Sequence, residues 1–292
     1  MTKRDDRIHS QKRSKRVSSI WSYMVLTILA LAFLFPTMWM IFNSFYDSTQ
    51  TTAYPPKFIP DPWTLRSYIS LFRTSGNSNV ITYFKNSSVV TILCIVGTIF
   101  SASLTAFGFA KLKSRSKNML FFIVLSTMMI PTTVTLIPLY NIYNKVEIID
   151  TLYPLVLPSF FGGSAFSIFL LRQFFAAIPK ELSESAIIDG CSWLQVFSRI
   201  VVPNSIPAFT VVLINTFVFH WNDYFIPMIM LSSKEKYTIP IGLTFSKDMY
   251  GNIIDTGPMM AMATLSILPI LVLYLIGQKA FIEGVVTTGI KG

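Results

Sequence analysis

Apolar residues along this chain gather into long runs separated by short polar segments, and six of the runs approach the ~20 residues that cross a bilayer as a helix. The pattern predicts spans over Ser22 to Phe42, Val89 to Ala110, Leu120 to Ile142, Tyr153 to Leu171, Ala208 to Leu231 and Met259 to Ala280. Prolines interrupt the later ones: Pro131 and Pro138 in the third, Pro154 and Pro158 in the fourth, Pro227 in the fifth and Pro269 in the sixth. A proline at membrane depth frees backbone polar groups, which neighbouring helices or a water-filled path must satisfy. Spans three to six are therefore expected to pack around something, and the first to lie at the periphery. A simple helix kink is the alternative reading of any one proline.

The polar segments differ in chemistry. Residues 47–85 hold Pro55, Pro56, Pro60 and Pro62 beside aromatics and read as an ordered external segment. Residues 111–117 form a short basic loop, 144–151 a short external turn, and 232–257 a second external loop. The segment between spans four and five is the most ordered in its signals. Pro179 starts a helix and Gly190 allows the positive φ that ends it. Ser192 and Gln195 have the spacing of a capping box for a second helix, which Pro203 stops. The domain division is a basic segment over 1–20 and a transmembrane domain over 21–292. Internal repeats, heptads and low-complexity tracts are absent from the sequence.

Composition agrees with the membrane class: 52% of residues are hydrophobic, 13% charged, and the mean hydropathy is +0.55. The net charge of +10 is unevenly spread. With the N-terminus inside, 16 of the 24 Lys and Arg residues fall on the cytoplasmic side, so the positive-inside rule predicts an N-in, C-in topology. The basic N-terminal run is then an orientation signal that meets lipid headgroups, and no aromatic-interleaved basic face suggests nucleic acid. The first apolar run is too long for a signal peptide and lacks a small-x-small cleavage site, so it reads as a retained anchor.

Chemistry-bearing patterns are scarce. There is no phosphate-binding Gly-x-x-x-x-Gly-Lys-Ser/Thr sequence, so the chain is not expected to bind a nucleotide by that loop. The two histidines, His9 and His220, are far apart. No carboxylate pair, Ser/His/Asp set or metal-ligand spacing occurs, so no catalytic or metal residue is assigned and an enzyme is not expected. Cys94 and Cys191 are expected to be unpaired. Asp223 is the one acidic residue placed within a span. A buried charge there is costly, so it should face the bundle interior, and Asn222 and Asp223 are candidates for a translocation path or for a structural polar pair.

The segment from Ile178 to Pro207 carries a family resemblance. Glu184-Ser185-Ala186-Ile187-Ile188-Asp189-Gly190, followed by Phe197 and Pro203, resembles the cytoplasmic coupling motif of ABC-importer permeases. The tail over 279–292, ending Thr287-Thr288-Gly289-Ile290-Lys291-Gly292, resembles that of the carbohydrate subgroup, as does Trp221-Asn222-Asp223 ahead of Pro227. Ser185 and Cys191 stand where alanine is usual. The resemblance implies an all-α fold with six transmembrane helices and a cytoplasmic coupling helix between spans four and five. It implies that Glu181, Leu182, Glu184, Ser185, Ala186, Ile187, Asp189 and Gly190 dock a soluble ATPase, with Leu182, Ile187 and Ile188 giving apolar contacts. It implies a second homologous permease, two ABC ATPase subunits that hold ATP and magnesium, an extracytoplasmic solute-binding protein and a sugar substrate, with no cofactor on this chain itself. Importers of glycerol-phosphate, amino acids or polyamines share the coupling motif, and a plain membrane anchor is the remaining alternative.

Overall fold

The computed structural model describes residues 2–51, 53, 55, 57–73, 80–249 and 256–289, with side chains from 19 to 278 apart from 48, 51, 73 and 245–249. The described residues are helical with no strand. Contacts divide the chain into two units: Met1–Leu71 with Lys247–Leu265, and Phe72–Ser246 with Ser266–Gly292.

The first unit begins with α1 (Thr2–Asn43), whose side chains from Ser19 to Pro36 are all exposed. Two short helices follow, α2 (Ser48–Thr51) and α3 (Arg66–Arg73). The expected ordered segment folds back on the end of α1. Phe58 stacks on Phe35 with ring centres 5.3 Å apart and meets Phe42 edge-on. Trp63 packs on Phe42 and Phe45, and Tyr68 on Phe45. Polar ties close the return: the Thr64 N–H donates to the Phe45 carbonyl at 2.9 Å, and Arg66 pairs with Asp47 at 3.0 Å.

The second unit is built around α4 (Val80–Lys111), which packs most extensively against the helices over Tyr153–Phe160, Ala165–Ala177 and Ile206–Trp221. The order continues with α5 (Lys117–Ser126), α6 (Thr132–Lys145), α7 (Tyr153–Phe160), α8 (Ala165–Ala177), α9 (Lys180–Ile188), α10 (Trp193–Val196), α11 (Ile206–Trp221), α12 (Phe225–Met230), α13 (Ile239–Met249) and α14 (Gly257–Gly289). Small residues let α7, α8 and α11 approach α4 closely: Thr98, Ala102 and Ala106 recur every fourth position and are buried. A Cβ on Gly97 would stand 2.7 Å from the Phe160 ring. The core below that ridge joins Phe107, Phe121, Leu171, Phe175, Val196 and Val212.

Among the described residues, four helices are long and apolar enough to cross a membrane, or up to six if each of two bent pairs counts as one span. The expected third span is one of the bent pairs, α5 and α6 meeting at 97°. The cause is Pro131, which forces Ile130 into extended backbone at φ −84°, ψ 116°. The expected fourth span extends past Leu171 to Ala177, with a break around Gly162 and Gly163, both at positive φ. The helix of the expected fifth span ends at Trp221, ten residues short of Leu231, because Pro227 cannot donate a backbone N–H back to residue 223. Conversely, α4 starts earlier than Val89, since its polar first turns find partners in later loops. The tail pattern expected at 279–292 falls on residues whose side chains lie outside those described, as do 290–292 entirely.

Candidate functional site

Three places in the second unit concentrate polar groups. The first is the segment expected to dock an ATPase. Pro179 precedes α9 as expected, and the helix ends in a two-bond glycine cap. The Cys191 N–H donates to the Ala186 carbonyl at 2.9 Å and the Gly190 N–H to Ile187 at 3.0 Å, with Gly190 at φ 85°. Those are the two bonds of the Schellman motif, satisfying carbonyls that a helix end leaves open. Ser192 and Gln195 form the expected capping box in full: Ser192 N–H to Gln195 Oε1 at 2.7 Å, and Gln195 N–H to Ser192 Oγ at 3.4 Å. The chain then runs through a wide π-type turn at Phe197–Val201 and Pro203 before α11.

One face of α9 is buried at Ser183 and Ala186, and Ala186 belongs to this chain's own core. Glu181, Leu182, Glu184, Ser185, Ile187, Ile188, Asp189 and Gly190 are exposed. Ile188 is 85% exposed, unusual for an isoleucine on a short helix held this firmly. Lys111, at the end of α4, ties the segment from behind by donating to the Ile178 carbonyl at 2.8 Å. Beside α9 lies a groove of about 820 Å³, lined by Lys111, Lys113, Lys117 and Lys180 together with Ile188 and Trp193.

The second place is a cavity of about 430 Å³ where α4, α6, α7, α8, α11 and α12 converge. Its polar lining includes Thr98, Ser167, Asn215, Thr216, His220 and Asp223. Ser101 on α4 closes one wall by donating to the Ser159 carbonyl at 2.8 Å, a group the end of α7 would otherwise leave unpaired. Asp223 sits in the break between α11 and α12. Its Oδ1 accepts from the N–H of Phe225 at 3.1 Å and of Ile226 at 3.3 Å, so it caps α12 while facing the cavity. Asn222, its neighbour, turns elsewhere. It lines a separate cavity of about 350 Å³ and donates to the Val218 carbonyl at 2.8 Å. Trp221, 4% exposed, anchors the corner: its indole N–H donates to the Ser266 carbonyl on α14 at 2.9 Å and stacks on Phe217.

The third place had no counterpart in the sequence reading. Asp150, at φ 57°, reaches across to the loop after α12. Its Oδ1 accepts from the N–H groups of Ser232 and Ser233, both at 2.9 Å, its other oxygen takes the Ser233 hydroxyl, and Lys236 pairs with it at 3.1 Å. The Asp150 N–H returns a bond to the Met230 carbonyl at 2.9 Å. Asn86 of α4 holds the same loop through the carbonyls of Glu235 and Tyr237 at 2.8 and 3.0 Å. Burial alone would push the Asp150 carboxyl up, but the bonds from Ser233, Ser232 and Lys236 outweigh it and hold the group well below the usual carboxylate range.

Sequence reasoning found the helix–glycine–helix segment with both of its caps, and it singled out Asp223. It missed Ser167 and Asn215, which sit inside apolar runs, assigned no role to His220, and missed the Asp150 clasp. Cys94 and Cys191 are both free, as expected.

Residues 95–286 match the family described as the binding-protein-dependent transport system inner membrane component. The arabinooligosaccharides transport system permease protein AraQ of Bacillus subtilis (strain 168) is 32% identical over 265 residues, covering 91% of this chain and 93% of its own length. The galactooligosaccharides transport system permease protein GanQ of the same strain is 27% identical over 282 residues, covering 96% and 98%. A chain in the crystal structure of a bacterial ABC transporter involved in the import of the acidic polysaccharide alginate superposes with a TM-score of 0.78 at 23% identity, covering 92% of this chain and 98% of that one. At that identity the likeness carries the fold, and it is the fold of an ABC-importer permease. With most of its length inside the family and several apolar helices to cross the bilayer, the chain is a multi-pass membrane protein and belongs to the inner membrane components of binding-protein-dependent ABC transport systems.

Proposed function

We propose that this chain is one of two membrane subunits of an ATP-driven importer that carries an oligosaccharide into the cell. It crosses the membrane six times, each bent pair counting as one span, with both ends in the cytoplasm. A homologous permease completes the path, two ATPase subunits hold ATP and magnesium, and a solute-binding protein delivers the sugar from outside. The observation that carries the reading is α9, a helix tied at both ends into the membrane core that exposes Leu182, Glu184 and Ile188 to a partner. A rigid helix presenting apolar anchors and an acid suits a groove on a soluble subunit. The lysines beside it put the basic end of the unit on the same side, in keeping with a cytoplasmic placement. The relatives named for arabinooligosaccharides and galactooligosaccharides support the substrate class.

The test is ATP-dependent uptake by the complete complex in proteoliposomes. Gly190→Pro and Glu184→Lys should abolish uptake and weaken co-purification of the ATPase while the chain stays in the membrane. Proline fixes φ near −65°, incompatible with the observed 85°. Normal uptake with both variants would remove α9 from the coupling role. Orientation is tested separately by a cysteine at Ser114, which should resist labelling from outside intact cells.

A further inference from the structure

We propose that the 430 Å³ cavity is a subsite for a neutral, polyhydroxylated solute and that Asp223 makes it selective against carboxylated sugars. This rests on the importer reading above and goes further by assigning the site and its charge preference. The first observation is Ser167 Oγ. Ser167 is fully buried, its hydroxyl has no hydrogen-bond partner, and it lines the cavity. A buried hydroxyl without a partner is disfavoured, and a solute hydroxyl arriving in the cavity would relieve that. The second is the kind of polar group around it. Thr98, Asn215 and His220 offer hydroxyl, amide and imidazole groups, which both donate and accept as sugar hydroxyls do. Leu136 and Phe219 supply apolar surface for the C–H faces of a ring. The volume falls within the ~300–1,000 Å³ of small-molecule sites.

The third observation is charge. Among the described residues lining the cavity, none is Lys or Arg and Asp223 is the one acid. Two backbone N–H groups donate to its Oδ1 and hold the carboxyl in a fixed place at the cavity wall. A carboxylate brought into the same low-dielectric space is repelled, and no cation on this wall compensates. A neutral sugar meets no such penalty and can donate its hydroxyls to the carboxylate. The solved structure of similar fold belongs to an importer of an acidic polysaccharide, so the fold itself does not set this preference.

The experiment measures direct binding to the membrane complex of both permeases and both ATPases in nanodiscs, with the binding protein left out so that its own selectivity does not enter. The probes are a tritiated panel of neutral trisaccharides of arabinose, galactose and N-acetylglucosamine, with trigalacturonate as the carboxylated counterpart of galactotriose. A neutral probe should bind, and Ser167→Ala should weaken it about tenfold, the loss of one well-placed hydrogen bond. Trigalacturonate should bind wild type at least about tenfold more weakly than galactotriose, and Asp223→Asn should close that gap while Asp223→Glu keeps it. Co-purified ATPase reports that each variant assembles. Equal discrimination in wild type and Asp223→Asn, or unchanged affinity in Ser167→Ala, overturns the subsite while ATP-driven sugar uptake still stands. Absence of uptake of every neutral probe by the wild-type importer removes the carbohydrate reading and the subsite with it.

Discussion

Removing the Asp150 side chain should open the loop that follows α12 without unfolding the helices around it. Asp150 accepts three hydrogen bonds from residues 232 and 233 and an ion pair from Lys236. Its side chain is 27% exposed and that of Lys236 41%, so the ion pair is screened and worth only about 0.5 kcal/mol. Hydrogen bonds to a charged acceptor are worth about 1.5–3 kcal/mol each, but three donors sharing one carboxylate are not additive and water replaces part of what is lost. Asp150→Gly should therefore cost the clasp about 2–3 kcal/mol, a roughly 30- to 160-fold rise in exchange of the Ser232 and Ser233 amides. Asp150→Ala should cost about 1 kcal/mol more, because alanine at φ 57° is strained where glycine is not. Lys236→Met should change exchange only about twofold to fivefold. The pH dependence follows from the lowered carboxyl pKa. The stabilisation is fully present above the unfolded value near ~3.9 and fades as pH falls below it, toward the lower folded value. Hydrogen exchange read by mass spectrometry, corrected for intrinsic rates, should stay flat from about pH 5 upward and rise below about pH 4. If Lys236→Met opens the loop as far as Asp150→Gly, the ion pair and not the backbone donors holds it, and the reasoning fails.

Two further expectations concern packing contacts of the second unit. Trp221→Phe keeps the stack on Phe217 but removes the indole N–H that donates to the Ser266 carbonyl. It should cost about 1–3 kcal/mol, seen as a lowered midpoint in thermal unfolding of the purified complex, whereas an unchanged midpoint would show the indole N–H to be dispensable. Gly97→Ala drives a methyl to 2.7 Å from the Phe160 ring and should destabilise by about 1–3 kcal/mol in the same assay, with uptake reduced because that ring adjoins Ser159 and the glycine break.

The α9 segment was legible because its determinants are local. Pro179, Gly190 and the Ser192–Gln195 pair each act within four residues, so their spacing alone fixes where helices start and stop. The cavity was not legible, because six helices contribute to it and Ser167 lies in the apolar run of α8 with nothing to mark it. Asp150 was equally silent: its partners are 82 to 86 residues away, and no periodicity links an aspartate to two serines at that distance. The apolar runs and the prolines that interrupt them were legible, but how far the chain turns at each break was not, such as the 97° between α5 and α6. Asn222 and Asp223 show the consequence. In one continuous helix they would sit about 100° apart and could both approach a path. The break before α12 instead sends the amide to a different cavity and turns the carboxylate into a cap.

The two ends of the second unit are joined by helices that serve both. Ser167 lies in the first turn of α8, and the same helix runs ~20 Å, at 1.5 Å per residue over 13 residues, to the start of the α9 segment. From the far side of that segment, α11 returns ~24 Å over 16 residues and ends beside His220 and Asp223. The segment thus hangs between two rods whose other ends both line the cavity. Aromatic packing ties the rods at the segment end: Phe175 of α8 meets Phe197 at 6.5 Å and Phe209 of α11 at 6.0 Å between ring centres. At the cavity end the breaks at Gly162–Gly163 and at residues 222–224 leave each rod free of the helix beyond it. A force applied to Ile188 and Leu182 would then move α8 and α11 as one body, and the change would appear where the rods end, in the cavity. The caps and the aromatic cluster sit at the α9 end, whereas Gly162, Gly163 and Pro227 sit at the cavity end.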